Sequence, residues 1–198
     1  MKENLPPLYF VPPLVFQPQT SRNQSPIVKL SNTITSRSKS LPDIDKVKII
    51  NNPVPRLSGS PIALVSFITT STECQMRMPY VVQLQKLYPK IFFLLISVQK
   101  LDVLVKTFME IPELLYLNIA CDQQGVFRSF LSQYSQMGLP HVFAFDENES
   151  LIFDGQPQSP ELKSKLSRIQ GKFSIQSQPR KCSPSRIMEM KQMLSGRK

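Results

Sequence analysis

Between residues 47 and 169 the apolar positions follow two alternating rhythms. Pro61-Ile-Ala-Leu-Val-Ser-Phe-Ile68, Ile91-Phe-Phe-Leu-Leu-Ile-Ser-Val98 and Leu115-Tyr-Leu-Asn-Ile-Ala120 are short, nearly continuous apolar runs, as buried strands require. The stretches between them keep helical spacing. Cys74, Met78, Val81, Leu84 and Tyr88 recur at intervals of three and four, as do Leu101, Leu104, Val105 and Phe108. Val126, Phe127, Phe130, Leu131 and Tyr134 form a third helical face, which Gly138 is expected to end as a C-cap residue. Two strands, His141–Phe145 and Leu151–Phe153, flank the polar turn Asp146-Glu-Asn-Glu-Ser150. Ser159-Pro160 then opens a last helix with Leu162, Leu166 and Ile169 inward. Val47-Lys-Ile-Ile50 reads as a short edge strand, broken by Asn51-Asn-Pro-Val-Pro55.

This order, β-α-β-α-β-α-β-β-α after the edge strand, predicts an α/β fold. A central, largely parallel sheet should carry helices on both faces, with a closing hairpin adding an antiparallel strand. Ser71 or Thr72 is a good N-cap for the first helix. Pro79 falls inside that helix and should kink it, and Pro89 should end it.

Outside this region the pattern disappears. Residues 1–45 are rich in Pro, Ser, Asn and Gln and are expected to form a disordered leader. Four prolines within Leu5–Phe16 would break the helix of a secretory signal, and no small-residue cleavage site follows. The domain is expected over 46–169 and a basic, flexible tail over 170–198. Ser183-Pro184 could start a short helix there, with Ile187, Met190, Met193 and Leu194 on one face. The net charge of +10 is unevenly spread. Residues 1–45 hold five Lys/Arg against three Asp/Glu, residues 46–160 nine against nine, and residues 161–198 ten against two. A neutral domain therefore ends in a basic arm, suited to salt-sensitive, non-specific contact with acidic surfaces or nucleic acid.

The chemistry-bearing residues are few. One His and no Trp nearly exclude histidine-based metal sites and a histidine triad, and no metal or other cofactor is expected. Cys74, Cys121 and Cys182 have neither CxxC nor metal-ligand spacing, and their odd, sparse count fits a reducing, cytoplasmic setting. No apolar run is long enough for a membrane span. Cys121 is expected to be structural, and Cys182, in the basic arm, to be exposed.

Two stretches stand together as halves of one site: Thr69-Thr-Ser-Thr-Glu-Cys74-Gln-Met-Arg-Met-Pro79, and Gly138-Leu-Pro-His-Val-Phe-Ala-Phe-Asp146 with Asn148 and Asp154-Gly155-Gln-Pro157. They resemble the redoxin branch of the thioredoxin-like superfamily over roughly residues 58–169. That family carries Trp-Cys-x-x-Cys, a proline five residues after the second cysteine, and later Gly-Ile/Leu-Pro with a cis proline. Aligned on Pro79, Cys74 takes the second cysteine's place, Ser71 the first and Thr70 that of the tryptophan. Aligned on Phe67, Thr72 and Gln75 take the two cysteine positions. We adopt the Pro79 register, which keeps one thiol in place.

Neither register yields a dithiol. Neither puts an acid at the buried strand position where many thioredoxins keep a proton acceptor, since Val65 and Ser66 are the candidates. A serine hydroxyl is too weakly acidic to attack a disulfide, and a lone second-position thiol cannot cycle a dithiol. The resemblance thus implies a thioredoxin-like domain without dithiol catalysis, serving as a binding or scaffolding module. A protein partner would lie at the groove of Leu139, Pro140 and His141, or along the tails. The rival reading is a monothiol thiol-disulfide oxidoreductase working through Cys74.

Overall fold

In the computed structural model the described residues are 40–51, 56, 59–134, 138–170 and 182–195, with side chains described to residue 192. Most of the expected leader, residues 1–39, and residues 171–181 of the tail lie outside them. In chain order the elements are β1 (Lys48–Ile49), β2 (Ile62–Phe67), α1 (Thr72–Leu87), β3 (Phe92–Ser97), α2 (Leu101–Phe108), β4 (Asn118–Cys121), α3 (Val126–Leu131), β5 (His141–Phe145), β6 (Leu151–Gly155), α4 (Pro160–Gln170) and α5 (Pro184–Ser195). Short 3-10 helices cover Ile44–Lys46 and Pro112–Tyr116.

The strands form one sheet in the order β1-β4-β3-β2-β5-β6. Pairing is parallel among β2, β3 and β4, and antiparallel for β1 on β4, β5 on β2 and β6 on β5. The sheet is therefore mixed, with more antiparallel pairing than the closing hairpin alone would add. The reason is α3. Its six residues span only about 9 Å at 1.5 Å per residue. The chain re-enters the sheet at the edge where the parallel strands end, with His141 opposite Ser66, so β5 has to run antiparallel to β2.

Strand alternation sorts the core into two layers. Ala63, Val65, Phe67, Phe93, Leu95, Ile119, Val142 and Ala144 face one side, under α1, α2, α4 and α5. Ile62, Leu64, Phe92, Leu94, Ile96, Phe143 and Phe145 face the other, under α3 and its Phe127 and Phe130. Every β2 and β3 residue is buried, which is why those runs read as continuously apolar rather than alternating.

Four expectations need correction. The run from Leu115 does not continue as strand: Pro112, preset for a first helical turn, winds residues 112–116 into a 3-10 helix, and β4 begins at Asn118. Gly138 does not cap α3, which ends at Leu131; Gly125, at φ 76°, precedes its first turn instead. Cys182 is buried, at 2% exposure, not exposed. Nor is the tail helix a free arm. Ser183 Oγ accepts the Arg186 N–H at 3.2 Å, Cys182 N–H donates to Leu115 O at 2.9 Å, and Met190 is buried in the first core layer. The apolar stripe that makes α5 amphipathic is thereby spent on the domain itself. The helix α1 runs unbroken through Pro79, whose ring lies on the exposed side.

Candidate functional site

The site is built where β2 ends and α1 begins. Ser71 has extended backbone and is the N-cap, its Oγ accepting the Cys74 N–H at 3.4 Å. Helical spacing turns Cys74 inward with Met78, Val81 and Leu84. Its side chain is 1% exposed, and its Sγ accepts the Ile68 N–H at 3.5 Å. Thr70 and Thr72, which flank Ser71, are exposed. The helix start thus presents hydroxyls to solvent and keeps its thiol beneath them.

Polar side chains that sequence reading passed over fix the preceding turn. Gln99 Oε1 accepts from Thr69 N–H at 2.8 Å, from Thr69 Oγ1 at 3.0 Å and from Ser97 Oγ at 3.1 Å. Thr107 Oγ1, on α2, lies 2.5 Å from Thr69 Oγ1. Gln75 Nε2 donates to Thr69 O at 2.8 Å, and the Cys121 thiol donates to Gln99 O at 3.4 Å. Each of these bonds removes an orphan polar group that a buried β-α turn would otherwise leave. The signal available in the sequence was a Ser, Thr or Gln at each strand end, a pattern too common to single out.

The second half of the site arrives through the sheet. Since His141 pairs with Ser66, Pro140 comes alongside the end of β2, close to Ile68 and the thiol it contacts. The Leu139–Pro140 bond is cis, Pro140 is buried, and Leu139 is half-buried against the core layer that contains Cys74. The two halves are joined outside the core as well. Arg77 on α1 pairs with Glu73 and donates to Gln156 Oε1, while Gln156 Nε2 donates to Gly138 O at 2.9 Å. A Cβ on Gly138 would stand 2.9 Å from Gln156 Nε2, so the Gln156 side chain would have to shift to admit one. Of the expected site residues, Ser71, Cys74, Leu139 and Pro140 converge on this junction.

His141 does not share it fully. It points to the opposite layer, with its ring 4.8 Å from that of Phe143, and is 8% exposed. Neither ring nitrogen has a hydrogen-bond partner, although the Gly138 carbonyl and the Asp154 carboxylate lie near. Burial pushes its pKa below the ordinary histidine value, and Asp154 and the Gly138 carbonyl pull weakly the other way. The other two cysteines are buried too, and burial raises both thiol pKa values; Asp122 adds to the rise at Cys121, while Arg186 opposes it at Cys182. Among the described residues no cluster of His, Cys, Asp and Glu could hold a metal ion, and no helix is long and apolar enough to cross a membrane.

No family model matches the chain, and no curated protein matches it. Solved structures do. It is similar to a crystal structure described as a thioredoxin-like superfamily protein, with TM-score 0.53, 16% identity, and coverage of 69% of this chain and 99% of that one. It is also similar to a thiol-disulfide oxidoreductase from Bacteroides fragilis, with TM-score 0.50, 18% identity, and coverage of 66% and 98%. The chain has a thioredoxin-like fold.

Proposed function

We propose that this thioredoxin-like domain is a non-catalytic binding or scaffolding module. One observation carries the reading: the nucleophile's position at the head of α1 is held by Ser71, acting as a cap, while the single thiol behind it is 1% exposed and packed in the core. A mixed disulfide at Cys74 would require the thiolate to reach solvent through the pinned Thr69 turn. Leu139 is half-buried at this junction and so offers part of its side chain to a partner. The proposed partner is a protein that docks at the Leu139-Pro140 turn, with Leu139 as the accessible contact and Pro140 and His141 shaping the backbone beneath it.

Two measurements test this reading. Reduction of a mixed-disulfide substrate by wild type and by Cys74→Ser should be equal and at background; activity lost with Cys74→Ser would establish the monothiol enzyme instead. Partner capture by the full chain should fall with Leu139→Asp and persist with Cys74→Ser.

A further inference from the structure

Among the described residues, docking of α5 leaves an apolar surface uncovered beside it. Between the 3-10 helix Pro112–Tyr116 and α5 lies a groove of ≈ 760 Å³ lined by Leu115, Cys182, Ser183, Pro184, Ile187, Met188 and Lys191. Its volume falls within the range of about 300–1,000 Å³ usual for ligand clefts. Ile187 and Met190 already anchor α5 to the domain, so Met188, at 58% exposure, is not needed for that anchoring. Tyr116, 40% exposed, follows Leu115 directly and extends the apolar surface toward α1, where Gln85 Nε2 donates to Tyr116 O at 3.2 Å.

We propose that this groove docks an acidic amphipathic helix of a partner protein. The floor is mostly aliphatic and thioether, with the Ser183 hydroxyl at one end, and methionine adapts its shape to different apolar side chains. One flank is basic. Lys191 lines the groove with no carboxylate paired to it among the described residues. The one acid on α5, Glu189, is already held by Arg186, whose Nε also donates to Ile50 O at 3.2 Å. Residues 161–198 carry ten Lys/Arg against two Asp/Glu, so a partner bearing carboxylates beside its apolar stripe is complementary. Apolar anchors at i, i+3 or i+4 and i+7 of such a helix suit a groove bordered by a helix. A second copy of this chain is disfavoured, because each copy carries +10. Nucleic acid is disfavoured because the lining is not aromatic and Tyr116 at its margin offers one ring, where successive bases need several. A flat lipid surface would leave the concavity unfilled. This surface lies away from the Ser71–Pro140 junction, so the proposal stands whether or not that junction binds a partner.

The test uses the full chain with labelled methionine methyl groups. The probes are a short synthetic helix with Glu on one face and Leu on the other, and a peptide of identical composition with the two faces scrambled. The Met188 methyl resonance should move with the first and not the second. Met188→Glu and Lys191→Glu should each weaken binding about tenfold, the scale of a groove contact. Both positions are exposed, and thermal melts would verify that the variants fold. Phosphatidylserine vesicles and a DNA duplex serve as competing probes. Absent or equal binding of the two peptides, binding indifferent to both variants, or a Met188 response to vesicles or duplex in place of the peptide would each overturn the proposal.

Discussion

Replacing Ser71 with cysteine tests the register and the loss of catalysis together. The change is isosteric apart from sulfur's size, and its structural cost is small. Ser71 caps α1 through a 3.4 Å contact to the Cys74 N–H, longer than the usual 2.9 Å or so, which puts the lost cap near the weak end, at about 0.5 kcal/mol. Positions three apart at a helix start have Cα atoms about 5 Å apart, inside the 4.4–6.8 Å range a disulfide accepts. The new thiol would sit at the positive end of α1. If that lowers its pKa from about 8.5 to about 7.5, its thiolate share at pH 7 rises from about 3% to about 24%. Glu73 would oppose this by like charge, but Arg77 holds that carboxylate in an i,i+4 ion pair and blunts its effect. Cys74, receiving the Ile68 N–H, is placed to resolve the mixed disulfide.

Ser71→Cys should therefore reduce insulin disulfides measurably when recycled by dithiothreitol, while wild type stays at background. The rate should be low, because Thr70 stands where the family has tryptophan and no buried acid assists proton transfer. Thr72→Cys is the control. Two residues apart on a helix means 200° apart in azimuth, so its thiol would point away from Cys74 and the disulfide could not close. Wild-type activity equal to that of Ser71→Cys would refute the non-catalytic reading. Thr72→Cys outperforming Ser71→Cys would refute the Pro79 register.

Three further outcomes are expected. Mass-mapped alkylation of native protein should be slow at all three cysteines, which are 1–2% exposed, with Cys182 leading through opening of α5; Cys74 reacting first, at a free-thiol rate, would favour the monothiol enzyme. His141 has a depressed folded-state pKa, so the unfolded chain binds more protons. Stability should be fully present above about pH 6.5 and fall as pH drops through the folded-state value, and denaturant titrations should show that slope flattened in His141→Phe. An unchanged slope would remove His141 as its source. Asn51, fully buried, donates to Leu117 O at 2.6 Å and accepts the Ile119 N–H at 2.7 Å. Asn51→Ala orphans both partners and should cost about 3 kcal/mol in equilibrium unfolding, whereas a loss under about 1 kcal/mol would mean that water replaces the side chain.

How much of this was legible depended on whether a residue's role was set by neighbours in sequence or in space. The β2–α1 half was readable because local rules govern it: an apolar run, a capping hydroxyl and inward spacing place Cys74 with no tertiary information. The Leu139-Pro140 half was readable only through resemblance, since nothing local brings it beside β2; the His141–Ser66 pairing does. The antiparallel course of β5 was hidden for the same reason, being set by how far α3 carries the chain. Asn51 and Gln99 look like ordinary loop residues and become structural only when strands from elsewhere offer them unpaired backbone groups. The tail shows the limit most clearly. The same stripe of Ile187 and Met190 fits a free amphipathic helix seeking a partner and a helix already docked on its own domain. Periodicity reports that a face is apolar, not what covers it. Once α5 is docked, the apolar residue that matters for a partner is Met188, one position outside the stripe.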